Sequence, residues 1–328
     1  MRKKLLQLGQ LDKSLKIKRE GTAVIIPIIA SDLVALDVDF EYEFVEEDLE
    51  ERTPKIVDYR KRVDISTDLV ALLPTSFDVI GDIVVIRLVD QLTPYREMIG
   101  NALLSTHPRL RTVALDRGVK GEMRVRDLEV ISGDDSTETV HIESGLRLKV
   151  DLRKAYFNPR LASERERIAS LVSKGEVVTD MFAGVGPFSI MIAKHAEPKI
   201  VYAIDVNMDA VEFLRTNIAM NRVKNVVPIW GDARMIIPTL PPSDRIIMNL
   251  PHSALEFIPE ALRQLKIGGT IHFYFVSERS SYHDTLGEVT ARAEEIGKKV
   301  EMARIEELKT YSPSASVFST DIILLNGS

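Results

Sequence analysis

From about residue 156 onward, strand-length apolar segments alternate with helix-length amphipathic segments. Such repeated strand–helix units form a doubly wound, mostly parallel sheet, which binds its ligands at the carboxyl ends of the strands. The second half of the chain is therefore predicted to have an α/β fold, closed by a terminal hairpin. The expected strands are 177–182, 200–205, 226–230, 245–249 and 270–276, and the expected hairpin strands are 300–308 and 317–325.

Two accessory regions precede this α/β region. Residues 1–60 are expected to form a small domain with a strand near 24–28 and to end in a linker that begins at Arg52. The next region combines strands with a helix at 94–104, which Thr93 would cap, and has a strand pair or a bulge at Gly81. We predict three domains: a small one at 1–60, an α+β middle domain at 61–155 and the α/β domain at 156–328.

The composition excludes several classes of protein. The 328 residues include no cysteine, which excludes disulfides, thiolate metal sites and a cysteine nucleophile. No apolar run approaches the roughly 18 residues of a transmembrane helix, and polar residues interrupt the first apolar stretch too early for a signal peptide. We therefore expect a cytoplasmic protein with no membrane partner.

The charge is distributed unevenly along the chain. A net charge of -6 disfavours a polyanionic partner, but eleven basic residues lie between Arg109 and Arg160. The local field decides where a polyanion docks, so this segment is a candidate nucleic-acid surface. A solvated face of an ordinary domain is an equally good interpretation of the charge alone.

The most specific motif is Asp-Met-Phe-Ala-Gly-Val-Gly-Pro-Phe-Ser at 180–189, where a strand leads through two glycines into a helix. Gly184 and Gly186 allow a tight turn and close approach of a ligand to the backbone. Asp205 ends the second strand and Asp232 follows the third, where carboxylates could accept hydrogen bonds from ribose hydroxyls and from an adenine amino group. The motif predicts a site for an adenosine-containing cofactor; a structural turn with two capping acids is the alternative.

Two features bear on which cofactor this is. A dinucleotide site requires a small residue three places after Gly186, and Ser189 satisfies that requirement without deciding the question. Asp180 decides more, because a carboxylate before the loop suits the ammonium of a methionine moiety and would repel a pyrophosphate. The sequence thus favours S-adenosylmethionine as cofactor and indicates no metal site.

Two further clusters contain candidate reactive residues. Asn249 follows the fourth strand, where its amide could bind a planar nitrogen heterocycle, and Pro251 stiffens the same loop; a simple turn is the alternative. Upstream, Arg160 and Glu164 lie about one helical turn apart, which is also the spacing of an i,i+4 surface ion pair.

These segments together resemble the archaeal and eukaryotic tRNA (guanine-37) N1-methyltransferases. The resemblance covers nearly the whole chain and is weakest over the first sixty residues. The segments that carry it are Tyr156–Arg165, Asp180–Phe188, Asn249–Pro251, Gly121–Arg126 and Tyr311–Pro313.

The resemblance implies a class I methyltransferase domain, preceded by a small domain that contacts tRNA and a middle domain that helps to grip the anticodon stem. It implies Glu164 as general base, Arg124 as the group that stabilises guanine O6, and Asn249 beside the target base. Alternation places Arg126 on the same strand face as Arg124, so either arginine could face O6. The cofactor site implied by the motifs comprises Asp180, Phe182, Gly184, Gly186, Asp205, Asp232 and Pro251, and the tRNA contacts comprise Arg160, Arg165 and Arg126.

These roles suit the chemistry of guanine N1. That atom carries a proton and its lone pair belongs to the ring, so removing the proton pushes charge onto O6. A carboxylate base and a guanidinium would address both problems. We expect a monomer that acts on tRNA and not on DNA.

Four other functions remain open at this point. Aminocarboxypropyl transferases of wybutosine synthesis share the fold and the cofactor, and a methyltransferase that also acts on a tricyclic guanine derivative is a narrower variant. A non-catalytic RNA-binding protein is disfavoured by the intact loop and its acids. A small-molecule or protein methyltransferase is disfavoured by the two accessory regions.

Overall fold

The computed structural model describes residues 5, 10–12, 15–29, 41–50, 58–121, 123, 125–310 and 314–326. Contacts within the chain define two compact units, Met1–Asp58 and Tyr59–Ser328. The expected linker at Arg52 and the candidate O6 ligand Arg124 lie outside the described residues. In the part of the chain that is described, no helix is long and apolar enough to cross a membrane.

The first unit contains a short antiparallel hairpin of β1 (Lys18–Glu20) and β2 (Ala23–Ile25). Buried Leu5 and Leu11 pack with partly buried neighbours that include Ile28. The strand expected near 24–28 is present as β2, although it is shorter than the sequence pattern suggested.

The second unit begins with a four-stranded sheet in the order β3-β4-β5-β6. Strands β4 and β5 are parallel and the other pairs are antiparallel. Helix α2 packs on one face through Ile99 and Leu103. The elements are α1 (Thr67–Val70), β3 (Asp78–Ile80), β4 (Ile83–Ile86), α2 (Arg96–Thr106), β5 (Thr112–Lys120) and β6 (Val125–Gly133), with 3₁₀ turns at Tyr59–Arg62 and Asp90–Tyr95.

Two local predictions for this region need correction or refinement. Thr93 does not cap α2, because it lies inside the 3₁₀ turn and the helix begins only at Arg96. Gly81 forms the turn of a β3–β4 hairpin with a φ of 57°, and a Cβ there would lie 2.1 Å from Thr139 Oγ1. The strand-pair alternative is therefore the correct one.

A separate hairpin and the α/β region complete the unit. The α/β region contains a seven-stranded sheet in the order β11-β10-β9-β12-β13-β15-β14. The elements are β7 (Glu138–Glu143), β8 (Leu146–Asp151), α3 (Ala162–Leu171), β9 (Val177–Asp180), α4 (Pro187–His195), β10 (Ile200–Asp205), α5 (Met208–Asn221), β11 (Val226–Trp230), α6 (Ala233–Ile236), β12 (Ser243–Met248), α7 (Ile258–Gln264), β13 (Leu265–Glu278), α8 (Tyr282–Glu295), β14 (Val300–Thr310) and β15 (Ala315–Leu324), with 3₁₀ turns at Pro159–Leu161, Ile237–Thr239 and Ala254–Phe257.

The seven-stranded sheet confirms the predicted α/β architecture. Strands β9 to β13 pair in parallel, and β15 pairs antiparallel with both β13 and β14, which forms the expected terminal hairpin. Strand β11, which contains Pro228, lies at the edge of the sheet as expected. Gly268 and Gly269 do not end the preceding helix. They lie inside β13, and a Cβ on Gly269 would lie 2.8 Å from the Asp244 carbonyl oxygen.

Apolar side chains cover both faces of this sheet. One core cluster joins Val178 and Ile247 to hairpin residues such as Leu148, and it continues into the four-stranded sheet. Two asparagines of α5 hold the same hairpin by pairing with its backbone. Asn217 pairs with the amide and carbonyl of Lys149, and Asn221 pairs with those of Arg147, at 2.6–2.9 Å. The hairpin is thereby fixed against the α/β region.

Candidate active site

The glycine loop connects β9 to α4 at the carboxyl edge of the sheet. Gly184 and Gly186 have φ values of 55° and 88°, a left-handed conformation that favours glycine. A Cβ on Gly186 would lie 2.3 Å from Leu214 Cδ1, so the loop also packs too closely on α5 for a side chain. Pro187 then begins α4, where its missing amide hydrogen costs no helical hydrogen bond.

Asp180 ends β9 beneath this loop and is buried. Its Oδ2 accepts a hydrogen bond of 2.7 Å from the Ser189 hydroxyl. Its Oδ1 is buried without a hydrogen-bond partner among the described residues. Burial raises the pKa of Asp180 to about 7, and the nearby charge of Asp205 adds to this effect. An unpaired buried carboxylate oxygen is a strong site for a cationic ligand group.

Asp205 ends β10 and organises the glycine loop. Its Oδ2 accepts a hydrogen bond of 2.6 Å from the Gly184 amide, and its Oδ1 accepts one of 2.8 Å from the Asn207 amide. Burial raises the pKa of Asp205 above its ordinary value, against these backbone hydrogen bonds. The structure therefore brings the loop and the second-strand acid into direct contact, as expected from their spacing.

Asp232 lies next to the same edge. The Gly231 amide donates to the Asp205 carbonyl oxygen at 3.0 Å, which brings the ends of β10 and β11 together. The Asp232 side chain caps α6 and pairs with Arg234 at 2.9 Å, and that hydrogen bond lowers the pKa of Asp232. A capping role thus coexists with a position suited to an adenine amino group.

The loop after β12 begins with Asn249, whose side-chain amide is the candidate contact to the target base. The register pairs Met248, the last residue of β12 before this loop, with Phe273 of β13. The Asn249 amide makes no hydrogen bond to any described residue. The Pro251 carbonyl oxygen accepts a hydrogen bond of 2.9 Å from Val276, which fixes the loop to β13. On the other side, the half-buried Phe182 ring packs edge-on against Phe257, with centroids 4.9 Å apart.

Glu164 lies in the first turn of α3 and is buried, with 6% of its surface exposed. Its carboxylate accepts hydrogen bonds of 2.8 Å from the Arg167 guanidinium and from the Tyr274 hydroxyl. The Tyr274 ring in turn lies 5.9 Å from the ring of Phe188, the second residue of α4. Tyr274 thus connects Glu164 with Phe188 at the end of the glycine loop.

Arg160 and Glu164 do not form the i,i+4 ion pair considered above. The Arg160 side chain is half exposed and its Nε donates to Asp78 at 2.6 Å, whereas Glu164 pairs with Arg167. The Asn158 side chain accepts from the Arg160 amide and so starts the 3₁₀ turn before α3. Arg160 keeps an exposed surface that a phosphate could contact.

The structure contradicts the assignment of Arg165 to the tRNA surface. The side chain is 1% exposed and forms two hydrogen bonds of 2.6 Å with Glu143. Its guanidinium also lies over the rings of Phe157 and Phe188. Arg165 lies on the face of α3 that points inward, toward Glu143 of the β7–β8 hairpin.

Arg126 is also unsuited to a tRNA contact in this arrangement, which corrects the second assignment. Its side chain is 8% exposed and pairs with Asp116 at 3.1 Å and with Asp78 at 3.5 Å. Its guanidinium lies 5.7 Å from the centre of the Tyr156 ring. These acids hold Arg126 within the protein, so it acts here as a structural link between strands.

The residues at the glycine loop fit S-adenosylmethionine. The unpartnered oxygen of Asp180 suits the methionine ammonium, and Asp205 suits the ribose hydroxyls. Asp232 suits the adenine amino group. Among the described residues there is no group of three or more His, Asp or Glu side chains that could hold a metal ion.

Several site residues were absent from the sequence prediction. Arg167 lies one turn after Glu164, and this i,i+3 spacing was the available signal. Tyr274 and Asp321 contact the Glu164–Arg167 pair from 110 and 154 residues away. Only the folded sheet reveals such partners, because the order β13-β15 is not readable from sequence spacing.

Comparison with known proteins identifies the family. Residues 139–303 match the family described as the TRM5/TYW2 methyltransferase domain. The chain belongs to the TRM5/TYW2 family. Residues 61–137 match the TYW2 N-terminal domain, and residues 1–32 match the tRNA methyltransferase 5 N-terminal domain.

Curated members of the TRM5/TYW2 family cover most of the chain. It is 43% identical to the tRNA (guanine(37)-N(1))-methyltransferase Trm5b of Pyrococcus abyssi, over 95% of this chain and 92% of that protein. It is 32% identical to the tRNA(Phe) (4-demethylwyosine(37)-C(7)) aminocarboxypropyltransferase of Methanocaldococcus jannaschii, over 73% of this chain and 93% of that protein.

Solved structures of TRM5/TYW2 members agree with this placement. The crystal structure of Trm5b from Pyrococcus abyssi superposes with a TM-score of 0.77 at 40% identity, covering 99% of this chain and 96% of that one. The complex of aTrm5 with tRNALeu superposes with a TM-score of 0.70 at 35% identity, covering 99% and 96%. The predicted family and fold class are confirmed; apart from the tRNA contacts of Arg165 and Arg126 corrected above, the site roles and the domain bounds stay predictions.

Proposed function

We propose that the chain transfers the methyl group of S-adenosylmethionine to N1 of guanine-37 in tRNA. One observation carries this proposal beyond the family relationship. The sheet register and the Tyr274 hydrogen bond bring Glu164 and the Asn249 loop to the same edge as the glycine loop. This arrangement supports the proposal that a base, an amide and a cofactor loop would serve one substrate atom.

Four features would hold the cofactor. Asp180 would bind the ammonium, Asp205 the ribose and Asp232 the adenine, while the backbone at Gly184 and Gly186 permits close approach. When bound, the cofactor supplies an electrophilic methyl group on a sulfonium, so the protein needs to provide no metal or covalent intermediate. The chain's own task is to orient the two reactants and to remove a proton.

Glu164 would accept the N1 proton of guanine as general base. Charge would then develop on O6, where Arg124 is the expected partner, and the Asn249 amide would hold the base in plane. The ion pairs of Arg126 favour Arg124 over Arg126 for O6, because Arg126 is already bound to Asp116 and Asp78. The target base would leave its stack to reach these groups, which an unpaired anticodon loop makes easier.

For the tRNA surface we retain Arg160, whose side chain is half exposed. The small N-terminal region is proposed to contact tRNA as well, because residues 1–32 match the tRNA methyltransferase 5 N-terminal domain. Arg160 would act as a phosphate contact, which positions the RNA without reading its sequence. Action as a monomer, in the cytoplasm and without DNA, remains our prediction.

The alternative is transfer of the aminocarboxypropyl group to a wyosine-type base. The aminocarboxypropyltransferase of Methanocaldococcus jannaschii named above is similar over three quarters of the chain. Methyl transfer is favoured because the Trm5b relative aligns over 95% of the chain and residues 1–32 match the tRNA methyltransferase 5 N-terminal domain.

The test is incubation of the purified protein with unmodified tRNA transcripts and S-adenosylmethionine labelled either in the methyl group or in the carboxyl group. Methyl transfer moves only the first label, and nuclease mapping places it at guanine-37. Glu164→Gln should lower single-turnover methylation by about 10²- to 10⁴-fold while cofactor affinity by calorimetry stays near that of the parent. Transfer of the carboxyl label, or a modified base elsewhere, would contradict the proposal.

A further inference from the structure

The two carboxylate oxygens of Glu164 have different surroundings. Oε1 accepts hydrogen bonds from Arg167 Nη2 and from the Tyr274 hydroxyl, both at 2.8 Å. Oε2 accepts one hydrogen bond, of 2.8 Å, from Arg167 Nε. Each carboxylate oxygen offers two lone-pair positions, so Oε1 is saturated by described residues and Oε2 retains a free position.

Arg167 divides its charge between two acids. Besides its hydrogen bonds to Glu164, the Arg167 guanidinium donates to Asp321 of β15, from Nη1 to Oδ2 at 2.9 Å and from Nη2 to Oδ1 at 3.2 Å. A guanidinium that faced Glu164 alone would hold that carboxylate strongly in its ionised form. Asp321 draws part of this stabilisation away, because it competes for the same cation.

His272 of β13 fixes Asp321 from the other side. Its Nδ1 lies 2.6 Å from Asp321 Oδ1, and its Nε2 lies 2.8 Å from Arg245 Nη1. Burial lowers the pKa of His272, so the ring is neutral, donates from Nδ1 and accepts at Nε2. Arg245 is bound in turn to Glu176 at 2.8 Å.

The connected groups form a chain through the core, which we call the Glu164 network. Its ionised members are Glu164, Asp321 and Glu176 on the negative side and Arg167 and Arg245 on the positive side. The network therefore carries one more negative than positive charge. Protonation of Glu164 would leave two matched ion pairs, Arg167 with Asp321 and Arg245 with Glu176.

We infer that Arg167, Tyr274 and Asp321 are positioning residues that direct Oε2 of Glu164 toward the substrate, and that Asp321 limits how far the Arg167 cation weakens this base. The inference rests on the proposed function, in which Glu164 is the base. In the step, the N1–H bond of guanine breaks and an O–H bond forms at Oε2. The electron pair of the N1–H bond stays on the ring, where N1 would use it to bond the methyl carbon of S-adenosylmethionine. The bond between that carbon and the sulfonium sulfur would break, its electron pair staying on sulfur, which leaves as the neutral thioether.

Two substitutions should move the pH dependence in opposite directions. Asp321→Asn leaves the Arg167 charge to Glu164 alone, so the carboxylate becomes a weaker base. Tyr274→Phe removes a hydrogen bond to the ionised form, so the carboxylate becomes a stronger base. Arg167 and Tyr274 contact Glu164 directly, whereas Asp321 reaches it through Arg167 and His272 through Asp321.

The experiment measures single-turnover methylation against pH with the full-length protein at saturating tRNA and cofactor. The acid limb of the profile should move down by about one pH unit in Asp321→Asn and up by about one pH unit in Tyr274→Phe. Glu301→Gln, a neutralised exposed carboxylate on the neighbouring strand β14, is the matched control and should leave the limb in place. Titration of the Glu164 carboxyl carbon by ¹³C NMR, assigned with Glu164→Gln, gives a readout that does not depend on turnover.

The outcomes separate this inference from the proposed function. If Glu164→Gln abolishes turnover but neither limb moves, the positioning role is wrong and the base assignment stands. If Glu164→Gln keeps full turnover, the base assignment itself is wrong. A loss of rate in both variants without a shift of the limb or of the NMR titration would indicate a merely structural role, and would overturn the inference.

Discussion

Replacing Asp180 with asparagine should stabilise the free protein at neutral and alkaline pH. Burial raises the pKa of Asp180 from 3.8 to about 7. Between these values the folded protein keeps a proton that the unfolded chain has lost, so the free energy of unfolding falls as pH rises, by about 1.4 kcal/mol per unit. Over about three units the ionised carboxylate therefore costs about 4 kcal/mol at pH 8, a cost that asparagine avoids.

The assay is thermal unfolding of cofactor-free protein at pH 5, 6, 7 and 8. At about 2 °C per kcal/mol for a domain of this size, Asp180→Asn should melt about 8 °C above the parent at pH 8. The difference should shrink steadily toward pH 5, because the parent then keeps its proton. Asp284→Asn, on the exposed first turn of α8, is the matched control and should show no such trend.

The same substitution should weaken the cofactor site that this unfavourable charge serves. Loss of a charged hydrogen bond to the methionine ammonium should lower S-adenosylmethionine affinity by about 10- to 100-fold at pH 8, as measured by calorimetry. The reasoning is refuted if Asp180→Asn melts at or below the parent at pH 8, or if the difference does not change with pH.

Three further substitutions test other parts of the account. Asp205→Ala removes the acceptor for the Gly184 amide and for a ribose hydroxyl. Because one to two hydrogen bonds are lost, cofactor affinity should fall by about tenfold or more, and equal affinity by calorimetry would exclude Asp205 from the site. Arg160→Ala should weaken tRNA binding and lower the slope of log affinity against log salt by about one, and an unchanged slope in filter binding would exclude a phosphate contact. Arg165→Ala leaves Glu143 buried without its cation and should destabilise the protein by about 3–5 kcal/mol in urea unfolding; an unchanged midpoint would contradict its structural role.

The parts of the fold that depend on local pattern could be predicted from the sequence. The alternation of apolar segments gave β9 to β13 and the terminal hairpin, since period and turn residues are local signals. The cofactor loop was also predictable, because Gly184, Gly186 and Asp205 each follow a strand at a spacing with a physical reason.

What depends on long-range packing could not be predicted. Arg165 and Arg160 are both arginines of the same charged segment, yet Arg165 points inward to Glu143, a partner 22 residues earlier on another element. Arg126 likewise finds Asp78 and Asp116 only after the four-stranded sheet has formed. Charge alone therefore identified a candidate RNA surface but did not separate its exposed members from its buried ones.

The most direct test of the central claim is a crystal structure of the full-length protein with tRNA and a non-reactive analogue of S-adenosylmethionine. We expect the adenosine to lie between Asp205 and Asp232, the amino group at Oδ1 of Asp180, and guanine-37 N1 about 2.6–3.2 Å from Oε2 of Glu164. An adenosine bound away from the glycine loop, or a target base that meets neither Glu164 nor Asn249, would contradict it.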